Sequence, residues 1–372
     1  MARIFIDARK YFDFGIGSYI QNLAASFHDL GSSHAFTLLA SGADAGRIGL
    51  PAGWRVSRVE YGKYSVGEFA FLGGRALALG AELFHEPHYT LPIGLRGKSV
   101  VTVHDLIHLK LPQFFSVAQR TYAAGMLRHA IDNAGAIIAV SRRTKEDILD
   151  RFRVDESRIS VVHNAVRSGF QRLADRTLVE SFCRARSLSK PFILYVGNVK
   201  PHKNIGVLLE AFAQVRTSYR DLELVFAGGK CLEAGPMAAR CNALGITDAV
   251  RDLGQLEEAD LVAAYNAAEI AVLPSLYEGF GFPALEAMAC GTAVIVSSGG
   301  ALPEVVGDAA PIVDPHRPDQ LAHAITLLLE DRQTRDEWIR KGVRRAGEFS
   351  WQKTGRQTLD VYEQVLERCG KK

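Results

Sequence analysis

The sequence predicts an α/β fold of two doubly wound parallel sheets, and three observations carry that prediction. Short apolar runs rich in β-branched residues alternate with longer segments of helical period. The alternation weakens once, over the polar stretch SGFQRLADRT after residue 165, and then restarts. The length, 372 residues, accommodates two domains at roughly 100–200 residues each.

In the first half the predicted strands are RIFIDA (3–8), HAFTLLAS (34–41), WRVSRVE (54–60), ELFHEP (82–87), SVVTVHD (99–105), AIIAVS (136–141) and ISVVHN (159–164). Helical segments near 17–30, 67–79, 116–133 and 142–152 separate most of them. The second half continues with PFILYVGN (191–198), a helix near 204–217, LELVFAGG (222–229) and a helix near 236–244. AVRDLG (249–254), EIAVLPS (269–275), TAVIVSS (292–298) and PIVDP (311–315) follow, then two or three terminal helices. The domains are expected at 1–168 and from 169 onward. No solenoid-period repeat and no low-complexity tract occurs.

Composition bounds the function. Lys and Arg total 44 against 41 Asp and Glu, a formal charge of +3, with 48% hydrophobic and 23% charged residues. These values exclude disordered and fibrous classes. Residues 1–165 hold 19 basic and 15 acidic residues, the remainder 25 and 26. Neither half has the strongly basic character of a nucleic-acid binder, although the first half's slight surplus favours an acidic surface or substrate. No run reaches the roughly 18 apolar residues that span a bilayer. The start, MARIFIDARK, does not read as a signal peptide. Five scattered cysteines, Cys183, Cys231, Cys241, Cys290 and Cys369, without C-x-x-C, read as buried thiols of a reducing cytoplasm.

In open parallel sheets ligands bind beyond the carboxyl ends of the strands, which places the expected site in a cleft between the domains. The richest segment is YEGFGFPALEAMACGTAVIVS (277–297). A strand runs into a Gly-Phe-Gly loop, and Pro283 suits the first turn of a helix whose unpaired N–H groups can meet a phosphate or sugar hydroxyls. Gly279 and Gly281 allow close backbone approach. Glu278 and Glu286 bracket the turn and can each accept hydrogen bonds from vicinal diols. A plain helix start with a surface glutamate fits this local pattern equally well. A second segment, YVGNVKPHKN (195–204), has Gly197 at a strand exit followed by Lys200, His202 and Lys203, which can hold a departing diphosphate. A solvated basic turn is the competing reading.

The first half contributes GIGSYIQNL (15–23), where Gly15 and Gly17 open a helix without the third glycine of a dinucleotide fingerprint. His104 and Asp105 close a buried strand and are expected to point into the cleft. The pairs His85 with His88 and His104 with His108 invite a zinc reading. It is disfavoured, because the zincin spacing needs both histidines in one helix with Glu between them. No G-x-S-x-G elbow occurs and no cysteine sits at a strand end.

These residues resemble a known family. Glu278-x7-Glu286, as EGFGFPALE, looks like the E-x7-E signature of retaining glycosyltransferases of the GT4 class, among them polysaccharide and O-antigen mannosyltransferases. GNVKPHKN resembles the family's donor-phosphate turn, GIGSYIQNL its N-terminal glycine loop and TVHDL its cleft histidine. AVSRRTKEDI and VVHNAV resemble the segments closing the N-terminal domain. FSWQKTGRQTLDVYEQVL resembles the terminal helix, about 352–372, that crosses back to it. The resemblance implies a GT-B fold of two Rossmann-like domains facing a cleft, an acceptor-binding N-terminal domain and a nucleotide-sugar-binding domain over 169–351.

Carried over by residue, the resemblance places Glu286 on the donor ribose, Glu278 on the transferred sugar, and the backbone N–H groups of Phe280, Gly281 and Phe282 under sugar and diphosphate. Gly197 and Asn198 belong to the donor turn. Lys203 neutralises the diphosphate, His104 sits beside the sugar and the acceptor hydroxyl, and Gly15 and Gly17 approach the diphosphate from the other wall. Asn198 stands where the family usually has arginine, so charge neutralisation falls to Lys203, with Lys200 as a substitute.

The expected reaction is metal-independent front-face transfer with retention, needing no cofactor beyond the nucleotide sugar, for no Asp-x-Asp site is evident. The departing phosphate accepts the acceptor's proton; Glu278 as a nucleophile is less favoured. The expected donor is GDP-mannose and the acceptor a glycan or lipid-linked glycan. Arg120, Arg128, Arg142, Arg143 and Lys145 are candidates for contact with the inner membrane face of a cytoplasmic protein, against a solvated face. Competing readings are a GT-B epimerase or phosphorylase and a non-catalytic two-lobed binding protein.

Overall fold

The computed structural model describes residues 1–229 and 235–370. They divide into two compact units, Met1–Asn164 with the segment from Ser350 onward, and Ala165–Phe349. The division lies a few residues ahead of the expected 168/169 and 351/352 boundaries.

The first unit holds β1 (Arg3–Asp7), β2 (Ala35–Ser41), β3 (Arg55–Val59), β4 (Leu83–Glu86), β5 (Ser99–Val103), β6 (Ala136–Ala139) and β7 (Ile159–Val161), in the order β3-β2-β1-β4-β5-β6-β7. Every neighbouring pair is parallel. β4, β5 and β6 are buried along their whole length, as continuous apolar runs covered on both faces must be. On one face Phe84, Val101, Val103 and Ile137 pack with Leu72 and Ala76 of the helix Val66–Ala78, and with Leu127 and Ile131 of Val117–Asn133.

Elsewhere in this unit the helices Phe14–Asp29 and Trp351–Gly370 pack together. Gly355 lets them touch, since a Cβ there would overlap the Ser26 hydroxyl. The C-terminal helix also anchors polar groups of the sheet. Thr354 Oγ1 donates to the His163 carbonyl at 2.7 Å, and the Tyr362 hydroxyl is bonded to His85 Nδ1. His85 Nε2 meets Thr102 Oγ1 at 2.8 Å. Burial lowers the His85 pKa from 6.5 to about 3, with His104 adding to the effect, and burial pushes His88 and His104 down as well.

A folded histidine with a depressed pKa binds fewer protons than its unfolded counterpart. Its stability contribution is therefore complete above the unfolded value and is lost as pH falls. The melting temperature is expected to fall as pH drops from 6.5 toward 3, and His85→Gln is expected to flatten that slope. A melting temperature constant across this window contradicts the assignment.

The second unit holds β8 (Phe192–Val196), β9 (Glu223–Ala227), β10 (Val250–Asp252), β11 (Ile270–Leu273), β12 (Ala293–Ser297) and β13 (Ile312–Val313), ordered β10-β9-β8-β11-β12-β13 and parallel throughout. Ile193, Leu224, Val272 and Ile295 form its core with Leu208 and Phe212 from the helix Ile205–Arg216 and Ile325 and Leu328 from Pro318–Glu330. Each expected strand is present. Among the described residues of this unit three helices went unread: Thr177–Ala185, Glu258–Ala267 and Leu302–Val306. The first lacks a side-chain cap, the second buries four consecutive residues, Val262 to Tyr265, and so shows no amphipathic period, and the third is a single turn.

Strand order reverses between β1 and β4 in the first sheet, and between β8 and β11 in the second. Such switch points open a crevice at the carboxyl ends. The cysteine expectation needs correction, because only Cys241 and Cys290 are buried while Cys183 and Cys369 are partly exposed. Cys231 lies outside the described residues.

Candidate functional site

The switch point of the second sheet gathers the motif residues. β8 is followed by Gly197, whose N–H donates to the Ala227 carbonyl at 2.9 Å and whose φ of +148° lies in glycine's territory. Gly228 presses against it; a Cβ there would lie 3.1 Å from the Gly197 nitrogen. The chain continues through Asn198 and an exposed Lys200 into the single turn Pro201–Lys203. Asn204, at φ +58°, then donates through Nδ2 to the carbonyls of Pro274 (3.0 Å) and Pro315 (2.6 Å). Leu276 N–H donates to the His202 carbonyl at 2.8 Å. These bonds tie the basic turn after β8 to the loop after β11.

Lys203 and Glu278 meet there. Lys203 Nζ lies 2.7 Å from Glu278 Oε1, and the Ser275 hydroxyl donates to the same oxygen at 2.6 Å. Burial raises the Glu278 pKa, but Lys203, its hydrogen bond and that of Ser275 outweigh it and hold the carboxylate ionised below the usual range. Gly281, at φ +108°, precedes the helix Phe282–Ala289, with Pro283 in its first turn. Phe280 is buried and meets the rings of Phe282 and Phe349 edge-on. Pro283 has no N–H and the Ala284 N–H donates to the Gly281 carbonyl at 3.1 Å, so the positive end of the helix is presented by the backbone at Gly281 and Phe282.

Glu286, one turn further, is 7% exposed. Its Oε2 accepts from the Tyr265 hydroxyl at 3.1 Å, and its Oε1 faces Arg167 Nη2 at 3.4 Å. Burial raises the Glu286 pKa, and Arg167 and Tyr265 offset this only in part. The two glutamates of the E-x7-E pattern thus have opposite titration shifts, one fixed as an anion by Lys203 and one softened by burial.

Asn198 is held through its carbonyl by the Tyr195 hydroxyl at 3.0 Å, while its side-chain Oδ1 is buried without a partner. Three residues of the cluster escaped the sequence reading. Ser275 closes the strand segment LPS and carried no signal beyond that position. Arg167 stands immediately before the polar stretch SGFQRLADRT, outside every motif singled out, and the unit boundary assigns it to the second unit. Tyr265 is part of the unread helix Glu258–Ala267.

In the first unit Gly15 and Gly17 lie in the first turn of Phe14–Asp29. Gly17 N–H donates to the Asp13 carbonyl at 2.6 Å, and a Cβ on Gly17 would overlap the Tyr11 carbonyl, so packing alone already requires glycine there. Gly15 faces open space. His104 follows β5 and donates Nε2–H to the Pro87 carbonyl at 2.9 Å, its ring edge-on to that of Tyr19 with centroids 5.1 Å apart. Burial keeps it neutral near pH 7, leaving Nδ1 as an acceptor. Both nitrogens of His85 are taken by Thr102 and Tyr362, and the ring of His108 lies against Phe115 at 4.3 Å. Among the basic residues considered for a membrane, Arg143 pairs with Asp147, Lys145 with Glu156, and Arg128 lies over Phe152.

Gly300 sets the geometry of Glu278. Its φ is +65°, and a Cβ there would overlap the Glu278 backbone. Gly300→Ala is expected to lower the melting temperature and to displace Glu278 from Lys203, with activity falling more than stability alone explains. Wild-type turnover in a folded Gly300→Ala chain contradicts this.

Residues 181–345 match the model of glycosyl transferases group 1, and residues 15–169 match that of glycosyltransferase family 4. The O-antigen chain mannosyltransferase B of Escherichia coli is 30% identical over 76% of this chain and 74% of its own length. A D-inositol 3-phosphate glycosyltransferase of Corynebacterium glutamicum is 32% identical over 63% of this chain and 59% of its own. Among solved structures, Anabaena HepE in complex with UDP and glucose superposes with a TM-score of 0.76 at 17% identity, over 97% of this chain and 99% of that one. The chain belongs to the group 1, family 4 glycosyltransferases and has their GT-B fold of two Rossmann-like units. It is a glycosyltransferase.

Proposed function

We propose that the chain is a retaining, metal-independent hexosyltransferase that moves mannose from a nucleoside-diphosphate sugar to a hydroxyl of a glycan or lipid-linked acceptor. The observation that carries this reading is the half-buried Lys203–Glu278 pair beside the start of the helix bearing Glu286, at the switch point of the second sheet. In this role Glu286 accepts from the ribose diol and Glu278 from the distal hydroxyls of the sugar. Lys203 and the N–H groups of Gly281 and Phe282 stabilise charge growing on the leaving diphosphate. Asn198, Lys200 and Gly197 line the donor turn, and Phe280 holds the loop from beneath. The C1–O bond to the diphosphate breaks, the acceptor oxygen attacks the same face, and its proton passes to the departing phosphate. His104, neutral, accepts a hydrogen bond at Nδ1 from sugar or acceptor. Glu278 is a poor nucleophile here, because Lys203 and Ser275 already occupy its Oε1.

The mannose assignment is supported by the E. coli relative, whose name gives it that sugar. Among the described residues no helix is long and apolar enough to cross a membrane; contact with an anionic membrane face belongs to this proposal, with Arg120, Arg128, Arg142, Arg143 and Lys145 as its candidates. The test is a thermal-shift screen of nucleotide sugars and free nucleoside diphosphates. GDP and GDP-mannose are expected to stabilise the chain. Stabilisation by UDP and UDP-glucose instead overturns the donor, and stabilisation by none of them overturns the reading.

A further inference from the structure

Glu286 has a cationic neighbour that lies outside every motif of the chain. Just past the start of the second unit, residues 167–176 are tied to the helix Glu258–Ala267. Leu173 N–H donates to Asn266 Oδ1 at 2.9 Å, and Asn266 Nδ2 donates to the Gln171 carbonyl at 3.0 Å. These bonds fix the far end of the segment, and Arg167 fixes the near end.

Arg167 is shared. Its Nη1 lies 2.6 Å from Glu258 Oε2, and its Nη2 lies 3.4 Å from Glu286 Oε1. The guanidinium stands 4.5 Å over the Phe170 ring, and Phe170 meets the Tyr265 ring edge-on with centroids 6.0 Å apart. Gly169 lets Glu258 close on the segment, since a Cβ there would lie 2.5 Å from Glu258 Oε1. A rigid fork stacked on a ring and pinned by one carboxylate loses little freedom in reaching a second.

The two acids differ in what they need. Glu258 is 47% exposed and stands in the first turn of its helix, where water and the helix's positive end support its charge. Glu286 is buried, and a carboxylate removed from water needs a cation or hydrogen-bond donors to remain charged. Tyr265 supplies one donor, and Arg167 supplies the cation. The shorter bond thus goes to the acid that needs it less. The longer one leaves Glu286 Oε1 open to a better-placed donor. A cis-diol brings two such donors, and only an ionised carboxyl accepts from both.

We propose that Arg167 is a positioning residue for the donor: divided between Glu258 and Glu286, it presents Glu286 as the charged acceptor of the ribose cis-diol. Glu258 sets how much of that charge Glu286 receives. This deepens the transferase reading and rests on it for the ligand.

Donor binding then depends on pH. Protonation of Glu286 costs the diol its acceptor, so affinity falls as pH drops through the Glu286 pKa, which burial raises above 4.5. Arg167 and the Tyr265 hydrogen bond pull that value down, and Glu258 pushes it up. Burial keeps Tyr265 neutral and raises Cys290, on the Glu286 helix side, to about 12. Of the other elements packed against this helix, β11 and β12 bring no titratable side chain. Leu302–Val306 brings Glu304. In Arg332–Ala346, Arg335, Lys341 and Arg345 pair with Glu269, Glu337 and Glu348.

The test is titration calorimetry of the full chain with GDP, UDP and their 2′,3′-dideoxy counterparts, from about pH 5 to about pH 8. In Arg167→Gln the acid limb of affinity for the nucleotide bound is expected to move up by about one pH unit. That is roughly tenfold in Kd on the limb, and Arg167→Lys is expected to restore part of it. In Glu258→Gln, which frees the guanidinium for Glu286, the limb is expected to move down. The dideoxy nucleotides lack the diol and are expected to show neither movement. Carbon-13 NMR of the Glu286 carboxyl, assigned with Glu286→Gln, reads the same movements without ligand.

A limb unmoved in both variants, movement of both in one direction, or equal movement with the dideoxy nucleotides overturns the proposal. Should Arg167→Gln fail to fold, Glu258→Gln decides, as its half-exposed side chain is not part of the core. A wild-type chain that binds no nucleoside diphosphate refutes the transferase reading instead. The NMR titration then decides the pairing alone, and a Glu286 titration indifferent to both variants overturns it.

Discussion

Lys203→Ala is expected to slow sugar transfer by roughly a hundredfold or more at saturating donor, the scale of losing one preorganised donor to a developing anion. Lys203 is the cation that the fold fixes in place at the second switch point, with Nζ 2.7 Å from Glu278 and only 19% of the side chain exposed. Lys200 is exposed and would have to be ordered before it could substitute. The same substitution leaves Glu278 with the Ser275 hydrogen bond and the weaker influence of His202, so its pKa is expected to rise. The lowered Glu278 pKa stabilises the fold above the unfolded value of 4.5, and that contribution is lost as pH falls through the folded value. In Lys203→Ala this part of the acid dependence is therefore expected to shrink. Steady-state kinetics beside melting curves separates the two effects. Near-normal turnover removes Lys203 from the chemistry.

Glu286→Ala is expected to weaken nucleoside-diphosphate binding by about ten- to a hundredfold, the size of one or two charge-assisted hydrogen bonds. The fold should tolerate the change, because Arg167 retains its 2.6 Å pair with Glu258 and the buried carboxyl removed was destabilised by burial. Titration calorimetry reads the effect directly, and unaltered affinity places the ribose elsewhere. Tyr265→Phe, which removes the 3.1 Å bond to Glu286, is expected to give a smaller loss in the same direction.

The strands were legible because parallel sheets covered on both faces need continuous β-branched runs, and FILYV, IAVL and AVIVS have no other use for that pattern. The helices Thr177–Ala185 and Glu258–Ala267 were not, since one lacks a cap and the other buries consecutive residues instead of a stripe. In the site, Glu278, Glu286 and Lys203 stood out through spacing within two motifs. Their partners did not. Arg167 reaches Glu286 across 119 positions of sequence, and Tyr265 reaches it from a helix without period.

The most direct check is transfer itself. Wild-type chain, GDP-mannose and a mannose-terminated acceptor should release GDP only when the acceptor is present. NMR of the product should show the same anomeric configuration as the donor sugar. Inverted configuration, or GDP release that ignores the acceptor, contradicts the account.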